Sequence, residues 1–426
     1  MTSIRLKNMM ITTDKKGVSQ FNKTSFPQRF GRYSEIRTQD YEFQFNLKGE
    51  IKSIRGLNMS WPHPSEILRR TDGNDWVYHS VGASAGPRTK VKEAIGEYYL
   101  PCPIYPTNTV WAFNPYSDPN IAQAFGAWYQ LFGTLFDTRQ QGLIPEIKNF
   151  IDLVMNNDDN KLLQQTELLH SIIGGRLSVL PPDTRHVEYE VIPLVIADGC
   201  LYHCDFCKVK THQKFQPQPR EKILRQLEML KAFYGENIQN YAALFLGNHD
   251  ALAAGRELVE WSAIEAYNRL DMRNAFGNNP KLFLFGSVAS LLKADDTLFE
   301  QLDRSPFYTT INIGFESVDE DTLHQLKKPM AVKEVREAFE KMMTINRDYP
   351  NLEITGNFLL GENLSQEHNQ SLTEFLGNIP NPKNGKGAVY LSPLMGGNRA
   401  ESLLPLFYQI KERSRLPTYL YLIQRL

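Results

Sequence analysis

Three cysteines, Cys200, Cys204 and Cys207, form a C-x3-C-x2-C pattern, and the remaining cysteine, Cys102, stands apart. A random placement of cysteines would give such a cluster on the order of once in a few thousand chains. A secreted disulfide framework would carry more cysteines at scattered spacings. Three thiolates can hold three irons of a four-iron cluster and leave the fourth iron without a protein ligand. Because an open coordination position can accept a cofactor or substrate, the pattern predicts a reactive metal centre.

A structural zinc site is the main alternative for these cysteines. Zinc would require four ligands, and His203 or His212 could supply the fourth. Zinc sites usually combine paired C-x2-C modules, and this chain has a single such pair. The spacing therefore favours an iron–sulfur cluster, with metal content as the observation that separates the two.

The elements that would position the cysteines lie after residue 187, where short apolar runs alternate with amphipathic segments. The apolar runs are 191–198, 241–247, 281–287, 308–316, 352–361 and 388–394. The clearest helical patterns between them are 220–235, 251–270 and 332–346. Continuous apolar strands separated by helices indicate a parallel sheet covered by helices. The sequence thus predicts an α/β fold with a partial (β/α)6 TIM-like barrel, whose ligands bind at the carboxyl ends of the strands.

The region before the barrel has a different pattern. Residues 41–47 alternate apolar and polar side chains, and a turn at Lys48-Gly49 leads into 50–57, which predicts a β-hairpin. The stretch 60–120 is rich in Pro, Trp and Tyr and is expected to be irregular. Residues 121–136 and 145–173 suit helices.

We therefore divide the chain into three parts. Residues 1–180 are predicted to be an N-terminal α+β accessory domain, followed by a Gly- and Pro-rich linker near 174–186. Residues 187–400 form the barrel, and 401–426 are expected to be a short C-terminal extension. With no substantial domain expected after the barrel, the N-terminal region would supply much of any cover for a substrate pocket.

Residues suited to ligand binding follow the ends of the predicted strands. Gly247 and Asn248 follow the second strand, Ser287 the third, Glu316 the fourth, and Asn357 lies in the fifth. A glycine there lets the backbone approach a ligand closely, while Asn and Ser can hydrogen-bond hydroxyl and carboxylate groups. A carboxylate can accept hydrogen bonds from an ammonium or a ribose. Each also has an ordinary alternative, because Gly247 and Asn248 suit a capped turn and Glu316 alone suits a solvated charge.

The cysteine spacing, with the aromatic Phe206 before the third cysteine, resembles the radical S-adenosylmethionine (SAM) superfamily. The resemblance covers about residues 188–400. The strand end Gly314-Phe-Glu316-Ser317 is similar to the family's G-x-E-S pattern, and Asn357-Phe-Leu-Leu-Gly361 resembles the family's strand near adenine. The loop Gly247-Asn248-His249-Asp250 departs from the family's loop of two glycines and an acid. This variant resembles the coproporphyrinogen-oxidase-like and elongator-catalytic-subunit-like branch.

The resemblance implies one [4Fe–4S] cluster, ligated by Cys200, Cys204 and Cys207, and SAM as the second cofactor. Phe206, Gly247, Asn248, Ser287, Glu316 and Asn357 are the residues expected to contact the cofactors. Such an enzyme reductively cleaves SAM to a 5′-deoxyadenosyl radical, which then attacks a substrate. It also implies a reducing partner of the flavodoxin or ferredoxin type. The substrate and the catalytic residues stay unidentified. A non-catalytic iron–sulfur or zinc-binding protein that senses redox state or binds a partner is the alternative function.

The overall composition restricts the partners. The formal net charge is -1, with 42% hydrophobic and 22% charged residues, as in ordinary globular proteins. This balance gives no strong nucleic-acid signal. We find no apolar run long enough to span a membrane and no secretory leader, so we expect a cytoplasmic protein without a membrane partner. Because one cysteine remains outside the motif, an auxiliary cluster held by three or four cysteines is excluded.

Overall fold

The computed structural model describes a large part of the chain. The described residues are 1–17, 31–57, 67–70, 76–79, 98–101, 119–175, 181–182, 191–202, 204, 213–247, 249–277, 279–361, 364–380, 382, 385–394 and 403–420. Three predicted site residues, Phe206, Cys207 and Asn248, lie outside them. Within the described residues, no helix combines the length and apolar character needed to cross a membrane.

The N-terminal part contains an eight-stranded antiparallel sheet in which each strand pairs with its neighbour in sequence. Its strands are β1 (Thr2–Leu6), β2 (Met9–Lys16), β3 (Arg32–Arg37), β4 (Tyr41–Phe45), β5 (Ile51–Gly56), β6 (Ile67–Arg70), β7 (Trp76–His79) and β8 (Tyr98–Pro101). The predicted hairpin is confirmed as the pair β4 and β5. Strands β6 to β8 lie in the stretch that was expected to be irregular, so that expectation was wrong for these residues.

Three helices accompany this sheet. They are α1 (Pro119–Thr138), α2 (Pro145–Met155) and α3 (Asp159–Ile173). The side chains of Phe43, Phe45, Trp128 and Phe150 are buried together between the strands and the first two helices. The predicted helix over 145–173 is divided, because Asp158 accepts a hydrogen bond from the Lys161 N–H and so begins a new helix.

The second part is a seven-stranded parallel sheet in the order β17-β16-β15-β14-β13-β12-β9. These strands are β9 (Ile192–Leu194), β12 (Ala243–Leu246), β13 (Lys281–Ser287), β14 (Tyr308–Glu316), β15 (Leu352–Leu360), β16 (Val389–Pro393) and β17 (Thr418–Leu420). A two-stranded antiparallel ladder, β10 (Ala197–Asp198) and β11 (Gln216–Pro217), follows β9. The predicted α/β fold with a parallel sheet is confirmed.

Helices connect the parallel strands and cover the outer face of the sheet. They are α4 (Arg220–Tyr234), α5 (Arg256–Arg269), α6 (Val288–Lys293), α7 (Asp296–Arg304), α8 (Glu320–Gln325), α9 (Val332–Asp348), α10 (Gln366–Asn378) and α11 (Leu404–Arg413). One large apolar cluster joins them to the strands. The segment that the sequence set apart as an extension contributes α11 and β17, which adds a seventh strand to the predicted six.

The N-terminal sheet contacts the barrel at the end where the parallel strands begin. The Arg32 N–H donates to Asn240 Oδ1 at 2.8 Å, and Asn240 Nδ2 donates to the Arg32 carbonyl oxygen at 2.9 Å. Lys48 Nζ donates to the Phe233 carbonyl oxygen at 3.2 Å. Asn240 lies just before β12, so these contacts are at the edge opposite the predicted site. The expectation that the N-terminal region covers the substrate pocket gains no support from them.

Candidate cofactor site at the carboxyl edge

The cysteine loop leaves the barrel through a narrow neck. The antiparallel pairs Ala197 with Pro217 and Asp198 with Gln216 close its base. Cys200 then forms an isolated bridge with Lys214. Gly199 has φ +74°, and a Cβ there would clash with the Lys214 carbonyl group, so only glycine suits this position.

The two described cysteines of the motif differ in exposure. Cys204 is buried, and Cys200 is half-buried; neither forms a disulfide. Asp198 accepts a hydrogen bond from Gln218 Nε2 and forms an ion pair with Lys222 Nζ at 3.6 Å. These contacts hold in place the strand that leads into the loop. Among the residues described, no group of three side chains suited to a metal comes together; Cys207 lies outside that set.

Strand β12 is followed by Gly247, whose backbone is in the left-handed region. Its φ is +81°, and its N–H donates to the Leu194 carbonyl oxygen at 2.8 Å. An added Cβ would lie 2.9 Å from Ala251 Cβ. The backbone therefore passes close to the end of β9, from which the cysteine loop starts.

Asp250, the last residue of the loop Gly247-Asn248-His249-Asp250, was not among the predicted cofactor contacts. Its Oδ1 accepts hydrogen bonds from Ser290 Oγ at 2.8 Å and from the Ala253 N–H at 3.2 Å. Its Oδ2 is buried and has no hydrogen-bond partner within the described part of the chain. Burial raises the pKa of Asp250, although hydrogen bonds from Ser287, Ser290 and Ala253 act in the opposite direction. The sequence signal that marks Asp250 is its position, because it is an acidic residue shortly after the end of β12.

Ser287 lies at the end of β13, where it begins helix α6. Its Oγ accepts from the Ser290 N–H at 3.1 Å, and Ser290 Oγ accepts from the Ser287 N–H at 2.8 Å, which forms a reciprocal cap. Tyr202 of the cysteine loop hydrogen-bonds the same serine, and burial raises the pKa of that phenol. The serine thus connects the cysteine loop to the third strand.

Glu316 ends β14 in an unusual backbone conformation. Its φ is +65°, and the Ser317 N–H donates to the Phe315 carbonyl oxygen at 2.8 Å across it, which closes a three-residue turn. The register of β14 against β15 also shifts between Gly314 and Glu316. A non-glycine residue held in this region costs roughly 1–3 kcal/mol, so the surrounding contacts must stabilise it.

The Glu316 carboxylate forms a buried ion pair with Lys328, at 2.9 Å between Nζ and Oε1. The ammonium also lies 5.3 Å from the centre of the Tyr202 ring. Burial alone would lower the pKa of Lys328, but the negative charges of Glu316 and Cys204 raise it above its ordinary value. Lys328 therefore stays positively charged between the fourth strand and the cysteine loop. No local sequence pattern marks this lysine.

Asn357 lies in β15 on the face opposite the helices. Its Nδ2 donates to Asn312 Oδ1, and Asn312 Nδ2 donates to Thr355 Oγ1 at 2.8 Å. This row of amide and hydroxyl groups lines the inside of the barrel next to Glu316. It brings neutral hydrogen-bonding groups to the carboxyl edge.

The structure thus brings four of the predicted residues, Cys204, Gly247, Ser287 and Glu316, to one edge of the sheet. Asp250, Tyr202 and Lys328 connect them. This set combines the thiol of Cys204, the buried ammonium of Lys328, and a carboxylate oxygen, Asp250 Oδ2, that is buried without a hydrogen-bond partner among the described residues. Such a donor set fits an iron–sulfur cluster beside a zwitterionic cofactor.

Comparison with known families agrees with this geometry. Residues 194–376 match the model of the Radical SAM superfamily. The matched part of the barrel, residues 194–376, is therefore a radical SAM domain. Membership implies a [4Fe–4S] cluster and SAM. No curated protein matches the chain significantly.

Several solved structures are similar to part of the chain. A radical SAM methyltransferase from Sphaerobacter thermophilus shares 12% identity at a TM-score of 0.38, over 55% of this chain and 66% of that one. The cobalamin-dependent S-adenosylmethionine radical enzyme OxsB with aqua-cobalamin bound shares 15% identity at a TM-score of 0.33, over 55% of this chain and 32% of that one. Methylornithine synthase (PylB) shares 11% identity at a TM-score of 0.33, over 62% of this chain and 82% of that one. The chain thus spans less than two thirds of the first two proteins.

Proposed function

We propose that Cys200, Cys204 and Cys207 hold the cluster, and that SAM binds beside it at the carboxyl edge of the sheet. The observation that carries this proposal is the position of the cysteine loop. It follows β9 directly and packs through Tyr202 against Ser287 and Lys328, at the ends of neighbouring strands. This packing supports a single site formed by the cysteine loop and the strand-end residues.

Asp250 and Lys328 are the charged groups that we assign to SAM and the cluster. The free Oδ2 of Asp250 suits the ammonium group of the cofactor, because burying this oxygen without a donor would cost about 1–3 kcal/mol. The Lys328 ammonium offsets the negative charge of the thiolates. The turn at Gly247 leaves room for the cofactor backbone beside β12.

Glu316 and Asn357 are proposed to bind the ribose hydroxyls. The Glu316 carboxylate keeps one oxygen on Lys328 and can accept a hydrogen bond with the other. Asn357 is half-buried and lies on the neighbouring strand, in register with Gly314. Phe206, Asn248 and Ser287 remain proposed contacts of the same site.

When bound, the cluster and SAM supply reductive cleavage of a sulfonium carbon–sulfur bond, which generates a carbon radical. The task of the chain is to orient the cofactor, exclude water and hold the substrate inside the barrel. Asn312 and Thr355, which continue the polar row from Asn357 into the barrel, form the surface that would orient the substrate. We propose a small metabolite or a peptide as the class of substrate.

The direct test is anaerobic reconstitution of the full chain with iron and sulfide, followed by dithionite and SAM. We expect release of 5′-deoxyadenosine from the wild type. Cys204→Ala should lose most of its iron and lower the rate at least a hundredfold, because a thiolate ligand is absent. Ser305→Ala, at a half-buried serine that ends α7 near the amino edge of the sheet, is the control and should release 5′-deoxyadenosine at the wild-type rate. A fully loaded wild-type cluster that releases no 5′-deoxyadenosine would contradict the proposal.

Metal analysis of protein purified without oxygen tests the alternative, a non-catalytic iron–sulfur or zinc protein. We expect iron and sulfide. Zinc without iron would favour the alternative.

We further propose the cytoplasm as the compartment and a flavodoxin or ferredoxin as the electron donor. Three cysteines at metal-ligand spacing stay reduced only in a reducing environment, and cleavage of SAM requires an external electron. Replacing dithionite with reduced flavodoxin or ferredoxin should sustain 5′-deoxyadenosine release. Failure of both, while dithionite works, would contradict the assignment of the donor.

A further inference from the structure

His368 is a fully buried histidine in the first turn of α10 that the proposed reaction does not use. Its side chain is 0% exposed and lies outside the cofactor site. His368 Nδ1 lies 2.7 Å from Ser317 Oγ, and Nε2 lies 3.0 Å from the Leu359 carbonyl oxygen. A histidine in this position connects α10 to the ends of both β14 and β15.

The partners determine which ring nitrogen carries the proton. A carbonyl oxygen can only accept, so Nε2 donates to Leu359. In the neutral imidazole Nδ1 is then an acceptor, and the Ser317 hydroxyl donates to it. Ser317 Oγ in turn accepts from the Asp319 N–H at 3.0 Å. Burial lowers the pKa of His368, in agreement with a neutral ring.

This hydrogen bond acts on the residue next to Glu316. The turn over Glu316 depends on the Ser317 N–H, which donates to the Phe315 carbonyl oxygen at 2.8 Å. A positive φ at a glutamate relaxes unless its neighbours are fixed on both sides. Lys328 fixes the carboxylate end, and the Ser317–His368 hydrogen bond fixes the following residue.

We propose that His368 is a positioning residue that holds Glu316 in its strained turn toward SAM, acting through the hydroxyl of Ser317. This inference rests on the proposed function of Glu316 as a cofactor contact. His368 itself touches neither cofactor. Its contribution is to cofactor affinity, because a relaxed turn would move the Glu316 carboxylate away from the position where it meets the ribose.

Three substitutions of His368 distinguish its hydrogen bond with Ser317 from its hydrogen bond with Leu359. In His368→Asn the side-chain oxygen replaces Nδ1 as the acceptor for Ser317. His368→Gln keeps a donor for Leu359 and loses that acceptor, and His368→Leu loses both. We expect the dissociation constant of SAM to rise about tenfold in the Gln and Leu variants and to stay within about twofold in the Asn variant.

The measurement is an equilibrium titration of the reconstituted protein with SAM. Binding is monitored as the change in the electron paramagnetic resonance (EPR) spectrum of the cluster. Iron per chain and thermal midpoint are measured alongside. Leu372→Ala, which removes a buried side chain of the same helix, is the stability control. It should lower the thermal midpoint at least as much as His368→Gln and leave SAM affinity unchanged.

Ser317→Ala provides an independent check. It should weaken SAM binding about tenfold, and the double variant with His368→Gln should be no weaker than either single variant, because both remove the same hydrogen bond. Unchanged affinity in His368→Gln, an Asn variant as weak as Leu, or additive single effects would each overturn the proposal. If the wild type itself forms no cluster or does not bind SAM, the proposed function fails instead.

Discussion

The polar groups at the two edges of the parallel sheet differ in the hydrogen-bond partners that the protein provides for them. At the amino edge, Glu353 accepts from Tyr308 Oη at 3.0 Å with one oxygen and from the Gly387 N–H at 2.9 Å with the other. Lys386 Nζ donates to the Tyr349 carbonyl oxygen at 2.8 Å. At the carboxyl edge, Asp250 Oδ2 is buried without a partner among the residues that the structure describes, and Glu316 lies in a strained turn. Glu353 and Lys386 at the amino edge find their partners within the protein, whereas Asp250 and Glu316 at the carboxyl edge provide an unsatisfied oxygen and a strained turn that a ligand can use.

This difference separates stability from function along the same strands. Strand β14 shows both: it starts at Tyr308, which donates to Glu353, and it ends at Glu316, which pairs with Lys328. Substitutions at the amino edge should therefore change the free energy of unfolding without changing SAM affinity. The Glu316–Lys328 pair is the exception, because it contributes to both.

The largest effect is expected for Lys328→Met. The change leaves the Glu316 carboxylate buried without its cation, and both side chains are almost inaccessible, with exposures of 7% and 11%. Removing one partner of a buried pair typically costs about 3–5 kcal/mol. Urea unfolding of the unloaded protein measures this loss. Lys333→Met, at a lysine that is 85% exposed, should cost less than about 0.5 kcal/mol. Equal values for the two variants would show that the pair does not stabilise the carboxyl edge.

A smaller loss of stability is expected for Glu353→Ala at the amino edge. The hydroxyl of Tyr308 and the N–H of Gly387 lose their acceptor, which costs about 1–3 kcal/mol in unfolding free energy. The dissociation constant of SAM should stay within about twofold of the wild type. A tenfold weaker affinity at unchanged iron content would remove the distinction between the two edges.

Gly314→Ala tests the role of the Glu316 carboxylate at the carboxyl edge. An added Cβ would lie 2.6 Å from Glu316 Oε1, so the carboxylate must move away from Lys328. We expect SAM to bind about tenfold more weakly, which corresponds to about 1.4 kcal/mol. Gly133→Ala in α1, where a Cβ meets open space, is the matched control and should bind SAM normally. Wild-type affinity in Gly314→Ala would argue against a role for the Glu316 carboxylate.

The smallest effect concerns pH. Burial lowers the pKa of His368 below its ordinary value of 6.5. Above pH 6.5 the ring is neutral in both states, and its contribution to stability is complete. As the pH falls from 6.5 toward the folded pKa, the unfolded chain takes up the proton first, so the unfolding free energy decreases.

The slope for one histidine is at most about 1.4 kcal/mol per pH unit. His368→Asn removes this contribution, and urea unfolding between pH 7.5 and 5.5 should therefore show a shallower loss than in the wild type. Parallel curves for the two proteins would show that His368 does not titrate in this way.

Much of the barrel could be predicted because its strands are continuous apolar runs bounded by polar turns. The runs at 281–287 and 308–316 match β13 and β14 residue for residue. Strand β17 was missed because three residues carry too little pattern. Strands β6 to β8 were missed because Pro and aromatic residues conceal the alternation that marks a strand.

The candidate site was predictable only where chemistry leaves a local signal. The cysteine spacing, and glycine or acidic residues after strands, identified Cys204, Gly247 and Glu316. Lys328 and His368 reach the site through tertiary contacts, and no spacing along the chain relates them to it. The cysteine ligands and SAM contacts remain predictions, as does the branch of the superfamily.

If the carboxyl edge holds a cluster and SAM together, the amino and carboxylate groups of SAM lie within magnetic coupling distance of the irons. Electron–nuclear double resonance of the reduced, reconstituted protein tests this most directly, with SAM labelled by ¹⁵N in its amino group and by ¹⁷O in its carboxylate. We expect hyperfine coupling of both labels to the cluster in the wild type, and its loss in Cys204→Ala. A reduced cluster whose spectrum shows no coupling to either label at saturating SAM would contradict it.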